Sequence, residues 1–102
     1  MTDLYRLEVS AAARRQLHQL PERVAAAVVE FITAVLPGNP ARLSKPLTGG
    51  LEGLRSARRG DYRVLLWIDE DDHRVVVVRV AHRSDAYRSV PPRPADPRER
   101  PE

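Results

Sequence analysis

The sequence predicts an α+β domain of two layers, a helical hairpin laid over an antiparallel meander. Three observations carry that expectation. Apolar residues recur at helical spacing on either side of Leu20-Pro21. After Leu47 the period shortens toward two, in segments rich in valine. The turn signals of that second half, Gly60-Asp61 and the acidic run 69–72, fall between its apolar segments. A sheet with one apolar face needs a cover, and the helical hairpin is the cover available.

The elements follow in order. Residues 4–9 read as a first strand, with Leu4, Arg6 and Glu8 alternating against Tyr5, Leu7 and Val9. Ser10 is placed to cap a helix over 11–20, whose apolar side includes Leu17 and Leu20. Pro21 and Glu22 suit the start of a second helix, because that end lacks N–H partners and favours negative charge. Val24, Ala25, Val28, Phe31, Ile32 and Val35 continue it to about residue 36, where Pro37, Gly38 and Pro40 stop it. Strands are expected over 54–59, 62–68 and 74–81. Strict alternation would put Val76, Val78 and Val80 on one side of the last strand and Arg79 and Arg83 on the other, giving one core face and one arginine face. Ser84 then starts the turn into a short last helix.

The chain has 102 residues, enough for one core and too few for two. It has no cysteine, which excludes a disulfide framework, a thiolate nucleophile and cysteine-rich zinc sites. The opening MTDLYRLEVS carries no basic-then-apolar leader, and no apolar run approaches the roughly 18 residues that span a bilayer. A cytoplasmic protein without membrane contact is expected. Residues 89–102, SVPPRPADPRERPE, hold five of the nine prolines and almost nothing apolar. Such a segment buries too little to offset its ordering entropy. The expected organisation is therefore a folded domain over 1–88 and a disordered tail over 89–102.

Charge narrows the function. Seventeen Lys+Arg stand against fourteen Asp+Glu, and Lys45 is the only lysine. The tail is balanced, so the whole excess lies on the folded part. Arg42, Lys45, Arg55, Arg58, Arg59 and Arg63 crowd one stretch that holds only Glu52 and Asp61 as acids. Arg79, Arg83 and Arg88 lie near the end of the last strand. A meander can gather Arg58, Arg63 and Arg83 on one concave surface suited to a polyanion. The competing reading is a solvated face whose arginines pair with Glu52, Asp61 and Asp85. His82 is a candidate proton shuttle, or simply a surface histidine at a strand end. Tyr87 packs on the sheet or meets a ligand.

Other chemistries lack their residues. The acids at 69–72 do not have the spacing of a calcium loop. Gly49, Gly50 and Gly53 lack the Lys-Ser/Thr of a phosphate loop. No nucleophile elbow or zinc-binding His pair is present. No metal and no cofactor are expected.

Three segments together, LPERVAAAVVEFI, KPLTGGLEGLRSARRGDYRVLLWID and RVVVVRVAHRSDAYR, resemble the RelE-like toxins of the RelE/ParE toxin–antitoxin superfamily. The likeness covers residues 4–88. Its specific part is Leu-x-Gly-Leu at 51–54, Gly-Asp-Tyr-Arg at 60–63 and Ala-His-Arg with Tyr-Arg at 81–88. The resemblance implies a β-α-α-β-β-β fold with a short C-terminal helix. It also implies a metal-independent mRNA interferase that cuts mRNA in the ribosomal A site. There the ribose 2′-hydroxyl attacks its own phosphate, leaving a 2′,3′-cyclic phosphate and a 5′-hydroxyl.

By the same resemblance Arg63 and Arg83 match phosphate-stabilising arginines. Tyr87 matches a tyrosine that stacks on or orients a nucleotide, and His82 a histidine of proton transfer. Lys45, Arg55, Arg58, Arg59, Arg79 and Arg88 would hold RNA. The pair of lysines that one branch carries falls on Leu54 and Ser56 here, and the glutamate of another on Lys45, leaving His82 or Lys45 as the base. The implied partners are the ribosome and mRNA, a RelB-like or other antitoxin acidic at the contact, and operator DNA bound only by the toxin–antitoxin complex. Two alternatives share the scaffold: a ParE-like gyrase inhibitor without nuclease activity, and a degenerate toxin that mainly binds its antitoxin.

Overall fold

The computed structural model describes residues 4–48, 51 and 53–87. The expected tail over 89–102, together with Arg88, Glu52 and Gly49-Gly50, lies outside the described residues.

Strand β1 (Arg6–Val9) leads into helix α1 (Ala11–Gln19). Ser10 caps α1 as expected, its hydroxyl accepting from the Ala13 N–H at 3.1 Å. Helix α2 (Glu22–Glu30) follows across Pro21. Its α-helical geometry ends sooner than the apolar spacing predicts. Phe31–Val35 widens into a π turn and Leu36–Gly38 tightens into a 3₁₀ turn. Both stretches still bury apolar residues, Phe31, Ile32 and Leu36.

Two short elements escaped the sequence reading. Helix α3 (Pro40–Leu43) is capped by Asn39, whose side chain accepts from the Arg42 N–H at 3.3 Å, and strand β2 (Ser44–Pro46) continues from it. Elements of three or four residues are too short to show a period. Strands β3 (Arg55–Arg59), β4 (Tyr62–Asp69) and β5 (Arg74–His82) form the expected meander. Gly60 opens the β3–β4 turn at φ +62°, the left-handed conformation that a two-residue hairpin turn demands of its first position.

The sheet order is β1-β5-β4-β3-β2, with β1 parallel to β5 and every other pair antiparallel. The helical hairpin covers one face. Ala13, Val28, Phe31, Ile32 and Leu36 pack there with Ala57, Val64, Leu66, Val75, Val77 and Val80. Burying each of the larger ones is worth about 1.5–3 kcal/mol, so this layer is the main source of stability.

Strict alternation along β5 fails at one place. Leu65 lies opposite Arg79 but Leu66 opposite Val77, so Val78 is an extra residue and the strand changes phase. Val75, Val77 and Val80 face the helices, whereas Val76 and Val78 join Leu54 and Leu65 in a second apolar cluster on the opposite face. The expected grouping of Val76, Val78 and Val80 is thereby corrected. Helix α1 satisfies the backbone that the bulge frees. The Ser10 hydroxyl donates to the Val78 carbonyl at 3.3 Å, and the Gln16 carboxamide accepts from the Val80 N–H at 2.7 Å.

The open face is therefore divided. Towards one end Leu47 and Trp67 close over the second cluster. Towards the other, arginine and lysine line a groove. The short helix expected after β5 does not form over residues 83–87, which are a run of turns.

Candidate functional site

The β3–β4 hairpin builds the groove. Its register sets Arg58 opposite Arg63 and Ser56 opposite Leu65, all on the face away from the helices. Strand β2 adds Lys45 opposite Ser56. The resulting groove, about 420 Å³, is lined by Arg42, Ser44, Lys45, Ser56, Arg58, Arg63 and Tyr87, with Leu43, Pro46 and Leu47.

Tyr87 enters from the turn after β5, its hydroxyl donating to the Ser56 hydroxyl at 3.2 Å. The ring remains 46% exposed, so it forms a wall of the groove and is not part of the core. The Arg63 guanidinium reaches the Tyr62 carbonyl and that of Arg58 the Gly60 carbonyl, both at a loose 3.4 Å. Lys45, Arg58 and Arg63 have no carboxylate partner among the described residues. Four cations thus line one groove, Arg42 together with these three, and phosphate is the natural counter-charge.

Arg74 shows what a compensated arginine looks like in this fold. It bonds Glu8 and Asp69, each at 3.2 Å. Burial would lower its pKa, but the hydrogen bonds and charge of those two carboxylates outweigh it and raise the guanidinium above its ordinary value.

Not every expected site residue reaches the groove. Arg55 turns to the other side and donates to the Ser44 hydroxyl at 2.7 Å, the Ala41 carbonyl at 2.9 Å and the Ser44 carbonyl at 3.0 Å. Its role is to fasten β3 to the α3–β2 corner, which in turn carries Arg42 and Lys45. Arg59 lies beside Arg23, Val28 and Tyr62 on the helix side. Arg79 shares the open face with Leu65, and its guanidinium donates to the Asp85 carbonyl at 3.5 Å. Arg83 is exposed on the turn after β5 and does not line the groove.

His82 is the largest departure. It lies opposite Tyr62 on the helix side, ring to ring at 5.5 Å and edge-on, whereas its neighbour Ala81 lies opposite Arg63 on the groove side. Arg42 and Ser56, which the sequence reading did not single out, do line the groove. Arg42 carried a signal in the crowding of cations between 41 and 63. Ser56 is marked only by the resemblance, as a position where one branch carries a lysine, because its contact with Tyr87 depends on how the chain turns after β5.

Among the described residues no three His, Asp or Glu side chains converge as a metal site would require, and no helix is long and apolar enough to cross a membrane.

Residues 7–87 match the family model described as ParE toxin of type II toxin–antitoxin system, parDE. The chain is 53% identical to Toxin RelE of Mycobacterium tuberculosis, over 88% of this chain and 93% of that protein. It is 50% identical to Toxin RelG of the same organism, over 82% and 97% respectively. Among solved structures, a chain of the RelBE2 toxin–antitoxin complex from Mycobacterium tuberculosis superposes with a TM-score of 0.77 at 47% identity, covering 83% of this chain and 98% of that one.

Proposed function

We propose an activity from one premise: the chain belongs to the ParE toxin family of type II toxin–antitoxin systems, and it is a RelE-like toxin. The activity is endonucleolytic cleavage of mRNA on the ribosome, without metal. The observation that carries this reading is the groove lined by Arg42, Lys45, Arg58 and Arg63, the last three without a carboxylate partner among the described residues, and walled by an exposed tyrosine.

Cleavage by the neighbouring 2′-hydroxyl needs three things: a group to take its proton, positive charge around the five-coordinate phosphorus, and a proton for the departing 5′-oxygen. Attack forms the 2′-oxygen–phosphorus bond and breaks the phosphorus–5′-oxygen bond, giving a 2′,3′-cyclic phosphate and a 5′-hydroxyl. In this reading Arg58 and Arg63 bind the non-bridging oxygens, since a guanidinium forks onto phosphate and keeps its charge. For the same reason arginine cannot carry the proton. Of the groove's side chains, Lys45 and the Tyr87 phenol can exchange one. Lys45, acting as the free amine, takes the proton from the 2′-hydroxyl, and water in the open groove protonates the departing 5′-oxygen, while Tyr87 lies against the splayed base and turns the ribose for attack.

The partner is a cognate antitoxin of the RelB kind, acidic where it covers Lys45, Arg58 and Arg63. The structural relative in a RelBE2 complex supports that assignment.

The test is primer extension on mRNA in a reconstituted translation reaction, wild type beside Arg63→Ala. Breaks within ribosome-occupied codons, absent from naked RNA and reduced at least about a hundredfold in the variant, are expected from loss of one charge-stabilising donor. Intact mRNA with wild-type toxin present overturns the reading.

A further inference from the structure

We propose that His82 is a positioning residue: its ring latches the turn over 83–87 that delivers Tyr87 to the groove, and it carries no proton for the reaction. The proposal rests on the functional reading above, which gives Tyr87 its task.

Cross-strand partners share a face of a sheet, and the partner of His82 is Tyr62, which packs on the helix-side core. The RNA-facing neighbours on either strand are Ala81 and Arg63. A proton carrier must come within hydrogen-bond reach of the atom it serves, and the sheet itself stands between the His82 ring and the groove.

The His82 ring is bonded into the turn that follows it. Its Nδ1 accepts from the Ser84 backbone N–H at 3.2 Å and lies 2.9 Å from the Ser84 hydroxyl. A backbone N–H can only donate, so Nδ1 presents its lone pair inward to the turn. A side-chain acceptor reaching the N–H two residues on is the geometry by which Asn and Asp hold Asx turns. Histidine does the same here with a longer arm, and the edge-on contact with Tyr62 holds the ring in place.

The Asp85 N–H donates to the His82 carbonyl at 2.8 Å, and the Arg83 N–H to the Asp61 carbonyl at 2.8 Å. Ala86 is fully buried. Tyr87, the next residue, is nearly half exposed and touches β3 through one hydroxyl contact. So little packing holds its ring that the path of the turn decides where it points. Tyr87 is thus aimed from the opposite face of the sheet.

The experiment uses the full chain with 3-fluorotyrosine at its three tyrosines. Tyr87→Phe assigns the Tyr87 ¹⁹F signal, and Tyr5, at the far end of the sheet, reports that each variant is folded. In His82→Ala the Tyr87 signal should move to the position of a solvated tyrosine. In His82→Asn, whose carboxamide can accept from the Ser84 N–H, it should stay near the wild-type position. Cleavage at saturating RNA should fall about tenfold to a hundredfold in His82→Ala, the cost of a misplaced reactive geometry. His82→Asn, which cannot act as acid or base near neutral pH, should keep most of the rate. A Tyr87 signal unmoved by His82→Ala overturns the proposal. So does a His82→Asn variant as slow as His82→Ala, because the chemistry of the ring would then be what was lost. Should wild-type toxin leave mRNA intact, the functional reading fails while the fluorine signals still decide whether the latch exists.

Discussion

Arg58 and Arg63 face one another across the β3–β4 ladder, an arrangement that the sheet opposes, because like charges directly opposite destabilise a strand pair. Arg55 and Arg74 are spent differently, one on backbone carbonyls at a corner and one on two carboxylates. A count of charges in the sequence cannot separate these fates. The turn signal Gly60-Asp61 could place Arg58 and Arg63, since a two-residue turn fixes the register around it. It could not place Arg55, whose partners belong to the α3–β2 corner, nor His82, whose face depends on where the bulge falls in β5. The proton acceptor can be tested at this scale. Lys45→Arg keeps the positive charge but removes a group able to give up its proton. It should bind single-stranded RNA as well as wild type while cleavage slows by about 10²- to 10⁴-fold, the usual range for a lost general base. Equal cleavage by the variant would remove Lys45 from the mechanism.

At the scale of elements, β3, β4, β5 and the helical hairpin were legible because each is long enough to show its period. The corner α3–β2, the π turn after α2 and the extra residue Val78 were not, because each is a local adjustment imposed by neighbours. The Leu-x-Gly-Leu segment was legible as a motif, and the structure supplies its reason. Gly53 sits at φ +92°, and a Cβ there would come within 2.7 Å of the Trp67 ring. The glycine lets the chain leading into β3 lie flat on Trp67 and closes the second apolar cluster beside the groove. Gly53→Ala combines a left-handed backbone with that overlap and should cost about 1–3 kcal/mol of stability. The midpoint of urea unfolding, followed by fluorescence of the single tryptophan, checks it, and an unchanged midpoint would refute the account.

At the scale of the molecule, the helical hairpin and the main core cover one face of the sheet, a smaller apolar cluster covers part of the other, and the rest of that face is cationic. The net charge of +3 understates this, because acids such as Glu8 and Asp69 neutralise Arg74 away from the groove. RNA affinity should therefore follow the groove and not the net charge. With three phosphates neutralised, the logarithm of the association constant should fall with the logarithm of salt at a slope of about −2, and Arg63→Ala should make it shallower by about 0.7. Fluorescence anisotropy with a short single-stranded RNA measures both. A slope unaffected by Arg63→Ala would place the contacts elsewhere.

The parallel pairing of β1 with β5 has a consequence in time. Ser10 at the end of the first strand bonds Val78 in the last, 68 residues later in the chain. At a synthesis rate of about 5–20 residues per second, the opening strand waits roughly 3–14 s for its partner to be made. Until then α1 has no strand beneath it, and Tyr87, which follows β5, has not been added to the groove. On the proposed function, a poison of ribosomes thus stays harmless until β5 and Tyr87 have been made, and an antitoxin already in the cell has that interval in which to meet it unfinished.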